Sequence, residues 1–238
     1  VEALYAGDAD GAALRAALAA RLQAPPASIE LVDVADKAWE REWLHDFHAM
    51  RFGRRLWICP QHEVVTDAAA VVVKLDPGLA FGTGTHPSTA MCLNWLDAHL
   101  GPGERVIDYG CGSGVLAIAA ALLGASRAEV FDIDPQALLA TADNAANNGV
   151  SERVAPCSRA GQLQPGADVL LANILAPTLV ELSAALAALV RPGGRIVLAG
   201  ILQNQTLAVT AAYAACFDMR LTDQRDEWVL LSGTRKPC

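Results

Sequence analysis

Two glycine-rich segments carry the residue types that proteins most often use to hold a small ligand. The first, GLAFGTGTHPSTAMCL at residues 78–93, contains three glycines, four hydroxyl side chains and a histidine just before a helical pattern. The second, VIDYGCGSGVLAI at residues 106–118, follows about one helix later. Glycines permit positive φ and a close approach of a ligand to the backbone, and a following helix offers N–H donors. Taken alone, the first segment is equally typical of a plain flexible loop.

The spacing of the second segment distinguishes it from a dinucleotide-binding loop. A GxGxxG loop that holds a pyrophosphate would need glycine at position 115, where this chain has Val115. Gly110, Gly112 and Gly114 instead form a shorter GxGxG turn, and Asp108 lies two residues before it. A carboxylate beside such a loop suits a cationic ligand better than a phosphate. We therefore predict that Asp108, Gly110 and Gly112 contribute to a cofactor site.

Two acidic residues end the next predicted strand, in the segment EVFDIDPQAL. They are Asp132 and Asp134, 22 and 24 residues beyond Gly110, a distance at which a strand-end carboxylate binds ribose hydroxyls. Asp134 precedes Pro135, and Asp followed by Pro is typical of a helix N-cap. Asp132 is therefore the predicted ribose ligand. The alternative is that both acids only solvate a loop.

An asparagine closes a later apolar strand, in the segment ADVLLANILAPTL. A strand that is buried on both faces is expected to end in an apolar residue or a turn former. Asn173 at this position is therefore a candidate for a binding role. Its amide can accept a hydrogen bond from a substrate amine and donate one to a cofactor. The alternative is a turn asparagine without a role in binding.

The elements around these segments alternate as in an α/β protein. From residue 88 the pattern predicts helices at 88–100, 115–123, 135–148, 177–190 and 203–215, and strands at 105–109, 128–133, 167–172, 195–200, 217–222 and 228–232. Upstream it predicts a helix at Gly11–Leu22, a strand at 28–34, a helix at 37–50 and strands at 54–60 and 69–75. Alternation indicates a parallel sheet with helices on both faces, whose ligands bind beyond the carboxyl ends of the strands.

Composition argues against several classes of function. Eighteen Lys and Arg against 26 Asp and Glu give a net charge of −8, which disfavours a nucleic-acid binder because phosphate binding needs clustered cations. The six cysteines are scattered without a CxxC pair, and His45 and His48 lack a third ligand, so we expect a reduced chain without a metal site. Without a long apolar run or a leader pattern, the prediction is a cytoplasmic protein away from membranes. Because Val1 opens a strand-like pattern, we also expect an incomplete N-terminal domain.

Four segments together resemble one family. LDPGLAFGTGTHPST, VIDYGCGSGVLAI, DIDPQAL and ANILA, in this order and spacing, are similar to the S-adenosylmethionine-dependent methyltransferases of ribosomal protein L11, and the resemblance runs from about residue 39 to the end. It implies a class I methyltransferase, with a Rossmann-like α/β fold and a seven-stranded, mostly parallel sheet. The resemblance implies cofactor contacts by Thr89, Gly110, Asp132 and Asn173, and a segment Phe81–His86, including Phe81 and Thr85, that folds over the cofactor.

The resemblance also implies a domain organisation and a reaction. We expect residues 1–35 to belong to a small α+β domain that captures the protein substrate, residues 36–62 to form a linker helix and strand, and residues 63–238 to form the methyltransferase domain. The implied monomeric enzyme methylates lysine side chains or the N-terminal amine of ribosomal protein L11. Asn173, by its side chain or the adjacent backbone carbonyl, would orient the amine, and His86 is a candidate base.

Three alternatives remain open from the sequence. The acceptor could be another protein or a small-molecule amine, or the chain could be a nucleotide-binding module without catalysis. Methyltransferases of nucleic-acid bases or glutamine amides are disfavoured because the NILA turn at residues 173–176 lacks the stacking aromatic that such enzymes commonly carry.

Overall fold

A computed structural model describes residues 10–25, 28–30, 48–75 and 84–237. The chain divides into two compact units, Val1–Glu42 and Trp43–Cys238. The domain limits expected from the sequence, at residues 35 and 62, stay a prediction. No helix in the described ranges is long and apolar enough to cross a membrane.

The first unit contains helix α1, Gly11–Leu22, at the predicted position. Asp10 caps it, because its carboxylate oxygen accepts hydrogen bonds from the backbone N–H groups of Ala12 at 2.9 Å and Ala13 at 3.3 Å. The predicted strand at 28–34 is not formed at residues 28–30, and its remainder lies outside the described residues. Most of the predicted helix at 37–50 also lies outside them, but Met50 belongs to a strand rather than to a helix.

A small three-stranded sheet opens the second unit. Its strands are β1 (Met50–Phe52), β2 (Leu56–Cys59) and β3 (Val71–Lys74), with β1 antiparallel and β3 parallel to β2. The strands predicted at 54–60 and 69–75 are thereby confirmed.

A seven-stranded sheet forms the centre of the second unit. Its strands are β4 (Arg105–Tyr109), β5 (Arg127–Phe131), β6 (Val154–Cys157), β7 (Ala167–Asn173), β8 (Val190–Leu202), β9 (Phe217–Arg225) and β10 (Trp228–Arg235). In space they lie in the order β6-β5-β4-β7-β8-β10-β9. Neighbours from β6 to β8 are parallel, whereas β10 is antiparallel to both β8 and β9. This is the predicted Rossmann-like methyltransferase arrangement.

Helices cover both faces of this sheet. They are α2 (Pro87–His99), α3 (Val115–Leu123), α4 (Pro135–Asn147), α5 (Ala176–Glu181), α6 (Ser183–Leu189) and α7 (Thr206–Tyr213). Side chains of β7 alternate between two apolar cores: Val169 and Leu171 pack with α2 and α3, and Leu170 packs with α5, α6 and α7. Burial on both faces explains why this strand is a continuous apolar run.

Several predicted elements differ in detail from the structure. The sequence indicated six strands for this sheet, and the seventh, β6, was missed because it is short and contains Pro156. As an edge strand it can include a proline without losing a ladder hydrogen bond on both sides. The helix predicted at 177–190 is two helices, interrupted at Leu182 with ψ of 2°. The helix predicted at 203–215 is shortened to α7 by a preceding 3₁₀ turn.

Candidate functional site

A cavity of about 830 Å³ opens at the carboxyl ends of β4, β7 and β8, where the starts of α2, α3 and β10 also lie. Its lining residues are Thr85, His86, Pro87, Ser88, Thr89, Gly110, Cys111, Gly112, Val115, Leu116, Asn173, Ile174, Leu175, Gly200 and Trp228. Both glycine-rich segments of the sequence therefore contribute to one cavity.

The GxGxG turn joins β4 to α3 along the cavity wall. Gly110, Gly112 and Gly114 have φ values of 82°, 54° and 78°. Residues other than Gly, Asn and Asp rarely adopt this left-handed backbone region. The backbone N–H of Gly110 donates to the carbonyl of Phe131 at 2.7 Å, and the carbonyl of Gly112 accepts from the Thr141 hydroxyl at 3.0 Å. The turn is thus held against the end of β5 and against α4.

Asp132 lies beside this turn with its carboxylate already ordered. One oxygen accepts from the N–H of Gly112 at 2.9 Å, and the other accepts from the N–H of Asp134 at 3.0 Å. Each carboxylate oxygen can accept a further hydrogen bond, so this group retains the capacity to bind two hydroxyls. Asp132 does not line the cavity itself, but it contacts Gly112, which does. Asp134 caps α4 by accepting from the N–H of Gln136 at 2.9 Å, as predicted.

Asp108 lies fully buried below the turn and does not line the cavity. One of its oxygens accepts from the N–H of Ala117 in α3 at 3.2 Å, and the other has no hydrogen-bond partner among the described residues. Burial raises the pKa of the Asp108 carboxyl to about 7, opposed by the Ala117 N–H and reinforced by the charge of Asp132. Burial, followed by the charge of Asp108, raises the pKa of the Cys111 thiol to about 12. Asp108 therefore links the end of β4 to the first turn of α3, and its predicted contact with a cationic ligand stays a prediction.

Asn173 and Thr89 are brought together from positions 84 residues apart in the chain. Asn173 ends β7, and Thr89 lies in the first turn of α2. The Asn173 Nδ2 donates to the Thr89 Oγ1 at 3.1 Å. This bond orients the amide and leaves its Oδ1 as the atom that can accept a hydrogen bond from a ligand in the cavity.

His86 and Trp228 also line the cavity and contact each other. His86 caps α2, because its Nδ1 accepts from the N–H of Ser88 at 3.3 Å and lies 2.7 Å from the Ser88 hydroxyl. Its ring meets the Trp228 ring edge to face at 4.7 Å between centroids. With Nδ1 accepting, the neutral imidazole carries its proton on Nε2, and a role for His86 as a base stays a prediction.

The structure brings together five of the eight predicted site residues as cavity lining: Thr85, Thr89, Gly110, Gly112 and Asn173. Asp132 and Asp108 adjoin that lining, and Phe81 lies outside the described residues. The sequence reasoning did not identify Trp228, Gly200 or Ile174. Trp228 and Gly200 come from strands remote from both motifs, and the only sequence signal for Ile174 was its place after Asn173.

Within the described residues, no cluster of three or more His, Cys, Asp or Glu side chains has the arrangement of a metal site. His48, one of the pair considered above, binds Glu63 instead, with 2.6 Å between its Nδ1 and the carboxylate. That hydrogen bond, with a second from the N–H of Ala49, lowers the pKa of the Glu63 carboxyl. His45 lies outside the described residues.

Comparison with known proteins gives one consistent answer. The sequence model of the family described as ribosomal protein L11 methyltransferase (PrmA) matches residues 1–236. The chain is 50% identical over 232 residues to a protein of that name from Alkalilimnicola ehrlichii, covering 97% of this chain and 79% of that protein. It is 51% identical over 237 residues to one from Hahella chejuensis, covering 100% of this chain and 81% of the relative.

Solved structures show the same relationship. A crystal structure of ribosomal protein L11 methylase from Lactobacillus delbrueckii subsp. bulgaricus superposes with a TM-score of 0.74 at 30% identity, covering 80% of this chain and all of that one. A SAM-dependent O-methyltransferase from Thermotoga maritima superposes with a TM-score of 0.53 at 15% identity, covering 63% of this chain and 64% of the other. The second likeness shows the fold alone.

Proposed function

This chain belongs to the ribosomal protein L11 methyltransferase family, and from that membership we propose that it transfers methyl groups from S-adenosylmethionine to amino groups of ribosomal protein L11. The observation that carries the proposal is the Asn173 amide, held by Thr89 at the edge of the glycine turn. A nucleotide-binding module would need the turn and Asp132 but not a polar group oriented beside them.

The residues present fit S-adenosylmethionine. The positive φ values at Gly110 and Gly112 leave backbone exposed at the cavity, where a ligand can approach closely. The Asp132 carboxylate suits ribose hydroxyls. Thr85 and the start of α2 would border the methionine end. We further propose that the segment Phe81–His86 covers the bound cofactor.

When bound, the cofactor would supply an electrophilic methyl group on a sulfonium. An amine nitrogen attacks that carbon in line while the sulfur–carbon bond breaks and the thioether leaves, so positioning accounts for most of the acceleration. A lysine with pKa ~10.4 is ~0.04% neutral at pH 7, which costs about 5 kcal/mol unless the site favours the free amine. Trp228, Ile174 and Leu175 give the cavity an apolar wall, which disfavours the ammonium form. The Asn173 Oδ1 or the adjacent backbone carbonyl would then accept from an amine N–H and direct its lone pair.

Labelled methyl transfer tests the proposal. The chain is incubated with S-adenosylmethionine carrying a labelled methyl group and with a panel of purified ribosomal proteins, and label is located by mass spectrometry. We expect label on lysine side chains or the N-terminal amine of L11 and little on the other proteins. Label on a different ribosomal protein would show that L11 is not the substrate. Cofactor binding without transfer to any protein would favour the binding-module alternative.

We propose that the enzyme acts as a monomer in the cytoplasm, on a protein acceptor, without nucleic acid, membrane or metal. We also propose that the N-terminal residues contribute to capture of the protein substrate.

A further inference from the structure

Gly200 lies where β8 meets the cavity, directly behind the turn that follows Asn173. Asn173 is the register partner of Ala199, so the next residues, Ile174 and Gly200, are where the two parallel strands diverge. Gly200 has φ of 77°. A Cβ added there would lie 2.4 Å from the carbonyl oxygen of Ile174, 2.9 Å from its carbonyl carbon and 3.2 Å from its nitrogen.

These three atoms belong to the peptide units on both sides of Ile174. One unit includes the carbonyl of Asn173, and the other carries the carbonyl of Ile174 itself. A Cβ at 2.4 Å is about 1 Å closer than the 3.4 Å at which ordinary contact begins, and backbone atoms cannot rotate away as a side chain can. Any side chain at position 200 must therefore displace the backbone next to Asn173.

The Ile174 side chain lies close to a second glycine, which belongs to the GxGxG turn. A Cβ added at Gly110, in the cofactor turn, would lie 2.3 Å from the Cγ2 of Ile174. Ile174 thus lies between two residues that have no side chain, and it also lines the cavity. A displacement of the Ile174 backbone therefore changes its packing against Gly110 as well.

We propose that Gly200 is a positioning residue for methyl transfer: its missing side chain sets where the Asn173–Ile174 backbone lies relative to the cofactor turn. This inference rests on the proposed function, because it assigns that backbone and the Asn173 amide to orientation of the acceptor amine. Gly200 would act through that backbone and not by contact with the amine or the methyl group.

Gly200→Ala tests the proposal against a matched control, Gly103→Ala. Gly103 has φ of 80°, so alanine meets the same backbone strain there, but nothing lies within 4 Å of the added Cβ. We expect Gly200→Ala to lower kcat on L11 by about 10²-fold, as a displacement near 1 Å can. Its calorimetric Kd for S-adenosylmethionine should change by less than about threefold, and Gly103→Ala should leave both quantities near those of the parent.

A second variant keeps the test decisive if alanine at position 200 prevents folding. Asparagine adopts the left-handed backbone more readily than alanine and carries the same Cβ, so Gly200→Asn should show the same selective loss of kcat, with Gly103→Asn as its control. Equal losses of cofactor binding and turnover in both Gly200 variants would overturn the proposal, as would activity at the level of the controls. A parent chain that binds cofactor but does not methylate L11 would overturn the proposed function and this inference with it.

Discussion

The side-chain amide of Asn173 has a single protein partner in the described part of the chain, the Thr89 hydroxyl, and it lines the cavity beside the glycine turn. An amide with one end fixed and the other available is a directional acceptor. Since only a neutral amine attacks, the main task of the site is to hold a lone pair in line with the methyl group.

Replacement of Asn173 by alanine tests that role. We expect kcat to fall by about 10²–10³, the range seen when a positioned polar contact to a transition state is lost, while affinity for S-adenosylmethionine falls much less. Steady-state rates and calorimetry on one preparation measure both quantities. Thr89→Ser retains the hydroxyl that orients the amide and should stay close to the parent. Proportionate losses of binding and turnover in Asn173→Ala would make Asn173 a cofactor ligand only.

Asp108 gives a prediction about pH. Burial raises its folded-state pKa from 3.8 to about 7, so between these values the folded chain holds a proton that the unfolded chain has released. The stability that this proton contributes is complete below pH 3.8 and is lost as pH rises through about 7. Asp108→Asn lacks this dependence, so its melting temperature relative to the parent should increase from about pH 5 to about pH 8. A difference that stays constant with pH would show that Asp108 ionises normally in the folded chain.

At the scale of elements, the turn from β5 to α4 separates two acids with different roles. Asp132 orders the glycine turn through Gly112 and retains acceptor capacity, whereas Asp134 caps α4. The two acids therefore have different roles, although only Ile133 separates them in the sequence.

Alanine substitution of each acid should separate the two roles. Asp132→Ala removes a charged acceptor from the ribose hydroxyls, worth about 1.5–3 kcal/mol, so calorimetry should find cofactor affinity lower by about ten- to a hundredfold. Asp134→Ala is the matched control, which should lose about 1 kcal/mol of stability as a helix cap with affinity nearly unchanged. Unchanged affinity in Asp132→Ala would reject the ribose assignment.

At the scale of the whole molecule, the chain divides into two compact units, and the proposed capture of the protein substrate by the N-terminal residues can be tested on that division. The large sheet, its helices and the cavity all belong to Trp43–Cys238. The curated relatives are longer than this chain, which covers 79% of one and 81% of another.

Removal of residues 1–42 tests this separation. The truncated chain should bind S-adenosylmethionine as the parent does, because every described cavity residue is retained. Its KM for L11 should rise, with a smaller effect on kcat. Calorimetry and steady-state kinetics with L11 measure these quantities. An unchanged kcat/KM would show that the N-terminal unit is dispensable for capture of the substrate.

Local features of the sequence were sufficient to predict six of the seven strands of the large sheet, the glycine turn and the strand-end residues. The GxGxG spacing, Asp132 and Asn173 each follow an apolar strand directly, and carboxyl ends of parallel strands meet at one edge. Sequence position alone therefore indicated that these residues would converge. The helix cap at Asp134 was predictable as well, because its hydrogen bond joins residues only two positions apart in the chain.

Tertiary structure decided what depends on remote neighbours. Trp228 reaches the cavity because β10 inserts antiparallel between β8 and β9, and strand order is not encoded in the residues of one strand. The Asp108 carboxyl is buried because α2 and α3 pack over β4, so its raised pKa could not be inferred from a motif that placed it beside a ligand. The sequence around Gly200 does not show why glycine is needed there, since its positive φ and the close approach of the Ile174 backbone arise only in the folded chain. Short-range order follows from the chain itself, whereas contact, burial and close approach exist only once distant segments pack together.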